Sequence, residues 1–376
     1  MSTTLPGLLD ADLPKGVRSR FVDRVNGLRM HVLEAGFETK GRPLVLLLHG
    51  FPELAYSWRN VMPALAAAGL HVVAPDQRGY GRTTGWDGDY DGDLASFRLF
   101  NLVQDALDLI SALGHRRVAA VIGHDFGSPV AAHCALVRPD AFTSVVMMSA
   151  PFAGAPAPGP APARVFDIHA DLARLTPPRK LYQWYYSTPS ADADMRRAPQ
   201  GIHDFLRAYY HVKSADWPGN RPHPLNAWSA SELAKLPDYY VMPLDLGMAE
   251  AVASYMPSAA QIAGCRWLPD EELAVYSGEF ARTGFQGALQ WYRCGTSGIG
   301  ARDLRLFAGR TIDVRSLFIA GASDWGVYQA PGAFEALGTR TCSRFEGSHL
   351  IPGAGHWVQQ ERPQVVVDLL LEFLSR

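Results

Sequence analysis

The chain opens on short apolar stretches separated by turn residues. Residues 17–23 and 28–33 flank Asn26-Gly27, a dipeptide suited to a type I′ turn, and predict a β-hairpin. Residues 43–48 form a continuous apolar run ending in His49-Gly50, the pattern of a strand buried on both faces of a parallel sheet. A helical period over 55–68 leads to a second buried run at 71–74. A longer helix is predicted over 93–113, with Leu99, Leu102, Ala106, Leu109 and Ile110 on its apolar face. Strand 117–122, a helix ending near residue 137 and strand 142–148 follow. Such alternation specifies a doubly wound parallel sheet with right-handed crossovers.

After this sixth strand the rhythm stops. Residues 151–162 are rich in Ala, Pro and Gly and predict a stiff, extended connector. From 163 to 294 the pattern is helical, loop-broken and aromatic, with no buried strand expected. Alternation resumes with strands 315–320 and 343–349 and a terminal helix over 364–374. The expected organisation is one α/β core, residues 1–150 and 295–376, interrupted by a mostly helical insertion over 151–294.

Composition narrows the class. With 376 residues, 48% apolar and 19% charged, the chain is long and apolar enough for a large core and is not expected to be disordered. The 35 basic and 37 acidic side chains give no reason to expect nucleic acid or an anionic membrane as partner. Cys134, Cys265, Cys294 and Cys342 form no CxxC pair, so neither zinc nor a disulfide framework is expected, and a reducing cytoplasm suits them. The N-terminus lacks a basic region followed by an apolar stretch, and the longest aliphatic run, 44–48, is too short to cross a bilayer.

Gly123-His124-Asp125-Phe126-Gly127 falls where strand 117–122 turns into a helix. Small residues at both ends allow a sharp turn that lifts the central side chain above the sheet, as in a nucleophile elbow, here with Asp at its centre. Alone, this Asp also reads as a helix N-cap. Its context favours chemistry. His49-Gly50-Phe51-Pro52 ends a neighbouring strand, where such a sheet presents its ligand site. The backbone N–H groups of Phe51 and Phe126 are candidates for an oxyanion hole. Asp324 follows strand 315–320, and His356 follows strand 343–349 within Gly353-Ala354-Gly355-His356-Trp357. Asp125, Asp324 and His356 therefore stand in nucleophile, acid and base order, each just beyond a strand.

These segments resemble an α/β-hydrolase core, and the flanking sequence resembles the soluble epoxide hydrolases. The likeness rests on His49-Gly50-Phe51-Pro52-Glu53, Tyr56-Ser57-Trp58-Arg59, Asp76-Gln77-Arg78-Gly79-Tyr80-Gly81 and Gly123-His124-Asp125. It spans nearly the whole chain from about Arg20 and is patchy in the insertion. It implies an α/β fold with a doubly wound α/β-hydrolase core and a mostly helical cap inserted after the sixth strand. The family's cap carries two tyrosines that hydrogen-bond the epoxide oxygen. Gly284 to Arg293 resembles one such segment and points to Tyr292, with Gln290 where Asn is usual. Leu181-Tyr182-Gln183-Trp184-Tyr185-Tyr186 resembles the other; Tyr182 is the best positional match, and Tyr185 and Tyr186 stand beside it. In related plant-like enzymes the equivalent of Glu53 orders water, although an acid at a helix start also serves the dipole.

The resemblance implies conversion of an apolar epoxide to a vicinal diol, with epoxide and water as partners and neither cofactor nor metal. Asp125 would open the ring to an alkyl-enzyme ester while Tyr182 and Tyr292 donate to the departing oxygen. Water activated by His356, itself held by Asp324, would then cleave the ester. Two alternatives remain: a dehalogenase using the same Asp, His and Asp, and a ligand-binding relative without turnover. Haloalkane enzymes usually place Asn after His-Gly and Trp after the nucleophile, and haloacid enzymes place Arg there. Phe51 and Phe126 occupy these positions and supply no side-chain N–H.

Overall fold

A computed structural model describes residues 6–9, 12–159 and 167–376. Val17–Val25 (β1) and Leu28–Ala35 (β2) form the expected antiparallel hairpin, with Asn26 and Gly27 both at positive φ. The remaining strands of the sheet are Leu44–Leu48 (β3), His71–Pro75 (β4), Ala120–His124 (β5), Ser144–Met148 (β6), Ile312–Gly321 (β9) and Cys342–Ile351 (β10). The sheet order is β1-β2-β4-β3-β5-β6-β9-β10, parallel from β4 to β10. β3 and β5 lie side by side where the winding reverses, so the loops after them open onto the crevice in which such sheets bind ligands. β3, β5 and β6 are buried along their whole length, which explains their unbroken apolar runs.

Some boundaries differ from expectation. The helix expected over 55–68 is a 3₁₀ turn, Ala55–Trp58, followed by a separate helix, Met62–Ala67, with Pro63 in its first turn. The strand expected at 117–122 begins only at Ala120, and Val118 makes an isolated bridge to Phe142. The terminal helix spans Pro363–Ser375.

Between β6 and β9 the chain leaves the sheet for a mostly helical cap. Residues 160–162 of the expected connector lie outside the described residues. The expectation of no buried strand in this insertion needs correction in one place: Arg179–Leu181 (β7) and Val241–Pro243 (β8), each partly buried, pair antiparallel. At three residues each they are too short to leave a period-two pattern. The helix Gln286–Ser297 is docked on the core. A Cβ on Gly79 would lie 2.3 Å from the Gly287 carbonyl oxygen, so the two backbones touch there. Trp291 Nε1 donates to Arg78 O at 2.9 Å, and Gln290 Nε2 to Asp89 O at 2.8 Å. Among the described residues no helix is long and apolar enough to cross a membrane, and all four cysteines are free.

Candidate active site

The turn between β5 and the helix Gly127–Val137 puts Asp125 at φ +50°, a left-handed conformation that costs a non-glycine residue about 1–2 kcal/mol. Its flanking glycines make the turn possible. A Cβ on Gly123 would lie 2.0 Å from Gly127 O, and one on Gly127 2.3 Å from Leu48 O. The Asp125 carboxylate does not cap the helix. It stands above the ends of β3 and β5, where Oδ1 accepts the Phe51 N–H at 2.8 Å. The Phe126 N–H, at the helix start, makes no bond to this carboxylate. A Cβ on Gly50 would fall 2.4 Å from both Cβ and Oδ1 of Asp125, so only glycine leaves the carboxylate room.

His356 faces the other carboxylate oxygen. Its Nε2 lies 3.2 Å from Asp125 Oδ2, but off the line of a hydrogen bond. Its Nδ1 lies 3.0 Å from Asp324 Oδ1, which also accepts the Gly326 N–H at 2.7 Å. The Asp324 carboxylate therefore selects the tautomer with hydrogen on Nδ1 and leaves Nε2 toward Asp125. Burial raises the Asp125 carboxyl, yet His356, Lys213 and His124 more than offset this and hold it well below the usual range. Burial likewise opposes the Asp324 charge, and His356 outweighs it. For His356, burial and Lys213 favour neutrality, while Asp324 and Asp125 raise its pKa above 6.5.

Tyr182 and Tyr292 pack together, their ring centroids 5.9 Å apart, and both feel the Asp125 charge. Burial, then the Asp125 charge, pushes both phenols well above their ordinary pKa, so both stay protonated. The Tyr292 ring packs edge-on against Phe51 and Phe126, at 5.6 and 5.2 Å. Its hydroxyl has no partner among the described residues. The Tyr182 hydroxyl donates to Gln329 Oε1 at 3.0 Å. Tyr185 turns outward: its hydroxyl reaches Asp194 at 3.3 Å, and it lines an outer depression of the cap with Trp184 and Lys180. Tyr186 is buried against Tyr209, hydroxyl to hydroxyl at 3.4 Å.

Glu53 lies beneath the site with both oxygens engaged. Oε2 accepts from Gly50 N–H at 3.0 Å and meets His124 Nδ1 at 2.6 Å, while Oε1 accepts from Gln359 at 2.9 Å. His124 Nε2 in turn donates to the His356 carbonyl at 2.7 Å. Glu53 thus ties the loop after β3 to the loop that carries His356.

Three residues near the site were not identified from the sequence. Gln329 holds Tyr182. Glu361 accepts the N–H groups of Gly355, Trp357 and Ala215 at 2.9, 3.0 and 2.9 Å, and burial pushes its carboxyl up to about 7 despite these bonds. Lys213 is buried close to His356. A lysine within the aromatic run Tyr209, Tyr210 and Trp217 was the one hint available.

Comparison with known proteins gives the same fold and a family. The model of the α/β-hydrolase fold matches residues 43–363. Epoxide hydrolase A of Mycobacterium tuberculosis is 36% identical, the match covering 95% of this chain and 97% of that protein. Epoxide hydrolase B of the same organism is 33% identical over 93% and 96%. Among solved structures, an epoxide hydrolase from an endophytic Streptomyces superposes with a TM-score of 0.76 at 34% identity, covering 96% of each chain. Potato (Solanum tuberosum) epoxide hydrolase I gives 0.71 at 28% identity, covering 96% of this chain and 99% of that one. The chain belongs to the epoxide hydrolase family of the α/β-hydrolase fold.

Proposed function

We propose that the protein hydrolyses an apolar epoxide to a vicinal diol through a covalent ester on Asp125. The observation that carries this reading is the buried Asp125 carboxylate facing two protonated phenols. One carboxylate oxygen is hooked by the Phe51 N–H, and the other faces His356 Nε2 at 3.2 Å. Oδ2 attacks a ring carbon as the carbon–oxygen bond breaks, and Tyr292 or Tyr182 supplies the proton taken by the departing oxygen. Oδ1 becomes the ester carbonyl oxygen, still held by Phe51, and the Phe126 N–H is the second donor once that oxygen becomes an oxyanion. His356 then takes a proton from water, which adds to the ester carbon. Collapse expels the second diol oxygen, which takes the proton of the added hydroxyl and leaves Asp125 a carboxylate, and the phenolate is reprotonated from His356. Asp324 holds the imidazole throughout.

In this reading residues 1–150 and 295–376 form the catalytic core and 151–294 the lid that supplies the phenols. Glu53 acts by fixing the loop after β3. The four free cysteines suit a cytoplasmic setting. The test is incubation of the purified protein with an aryl epoxide, and diol is the expected product. Absence of diol together with halide release from a haloacid would overturn the reading in favour of a dehalogenase.

A further inference from the structure

The loop carrying His356 is held by the cap as well as by the core. Its N–H donates to the carbonyl of Lys213, the last residue of the helix Gly201–Lys213, at 2.9 Å. Glu361 binds Ala215 of the same cap segment together with Gly355 and Trp357, the neighbours of His356. A Cβ on Gly355 would lie 2.5 Å from the Ser214 carbonyl carbon, so the segments are in backbone contact. This contact delivers a charge. The Lys213 side chain is buried, with Nζ 5.1, 5.1, 5.3 and 5.8 Å from the ring centroids of Tyr209, Tyr240, Trp357 and Tyr239. Its one hydrogen bond is to the Tyr209 hydroxyl at 3.5 Å, and no carboxylate lies within 4 Å of it among the described residues. Aromatic faces attract the ammonium but do not neutralise it. A buried cation with no paired anion is costly, and its field is little screened.

We propose that Lys213 tunes the base: its charge disfavours the imidazolium form of His356, so the ring is free to accept a proton when the ester awaits water. This rests on the two-step epoxide reading. Several groups face His356. Asp125 approaches from the turn after β5 and Asp324 from the loop after β9. His124, with Glu53 behind it, comes from β5, and Lys213 from the cap helix. Glu361 lies behind the loop, and the phenols of Tyr209, Tyr239 and Tyr240 surround Lys213. In the free protein two carboxylates favour imidazolium while Lys213 and burial oppose it. Ester formation converts the Asp125 carboxylate into a neutral group and removes one of the two attractions, while Lys213 remains. The balance then passes to neutral imidazole at the step that needs a base. The proton lost by the ring replaces the one that the phenol gave to the departing oxygen, and the ring regains a proton from the attacking water.

The experiment compares wild type with Lys213→Met, Lys213→Gln and Lys213→Arg by two readouts. One is NMR titration of the His356 ring in the free protein; the other is the pH profile of kcat. Both neutral variants should raise the His356 midpoint by about 1 unit and move the acid limb of kcat up with it, a roughly tenfold loss below the limb. Lys213→Arg, which keeps the charge, should restore the wild-type midpoint. Two neutral side chains of different polarity preserve the comparison if one variant fails to fold. An unmoved midpoint in a folded neutral variant, or an equal loss of rate at every pH, would overturn the proposal. The NMR titration needs no turnover. Failure of the wild type to form diol would therefore count against the epoxide reading and leave the charge effect to be judged by itself.

Discussion

At Asp125 the two carboxylate oxygens have different surroundings, and in the proposed mechanism this asymmetry divides the labour between them. Oδ1 is anchored by Phe51, and Gly50 leaves the space it occupies. Gly50→Ala should therefore displace the carboxylate while the sheet stays folded. Its kcat on an aryl epoxide should fall on the order of 100-fold, with an unchanged far-UV spectrum; undiminished turnover would contradict the role of the Phe51 hook. The phenols differ as well, since Tyr182 already spends its proton on Gln329 and Tyr292 does not. Each single Tyr→Phe variant should slow ring opening by roughly 10- to 100-fold, with Tyr292→Phe the more damaged, and the double variant should open no ring. Stopped-flow measurement of the alkylation step checks this order.

At the scale of elements, the centre of the sheet was legible in the sequence because β3, β5 and β6 are buried on both faces and leave unbroken apolar runs. Asp125 and Asp324 stood out as candidates because each follows such a run, whereas His356 follows the polar, mostly exposed β10 and stood out by its order after them. The break at residues 59–61 was hidden by an apolar spacing that continues through it. Lys213, Gln329 and Glu361 were hidden for another reason: their roles arise from contacts across the fold, and no local period encodes which residue of a cap helix meets a core loop. Glu361 makes this contact testable by pH. Its folded-state pKa of about 7 exceeds the ordinary 4.5, so the folded state binds the extra proton between these values. Stability from this group is thus greatest at low pH and falls as pH rises from about 4.5 to about 7. His356, raised above 6.5, adds a loss of the same sign above that value. Glu361→Gln should flatten the decline seen in urea melts between these pH values. A decline as steep as in wild type would assign it to other groups.

Over the whole molecule, several buried contacts bind core and cap together. Arg59, itself buried, reaches from the core to Glu272 and the Tyr276 hydroxyl of the cap, and to Gln360 near His356 at 2.8 Å. Arg59→Met should destabilise the protein by about 3 kcal/mol, near the low end for a broken pair because Glu272 keeps some access to water. Urea denaturation measures this. The near balance of charge and the aromatic cap suit an uncharged, apolar substrate that arrives without electrostatic steering.

The central claim is a covalent bond to Asp125, and trapping that bond tests it most directly. His356→Gln removes the base for ester cleavage and leaves Asp125 and both phenols in place. After incubation with an aryl epoxide, intact-protein mass spectrometry should show one added substrate mass, and peptide mapping should locate it on Asp125. An unmodified protein that still releases diol would mean that water attacks the epoxide directly, and it would contradict the account.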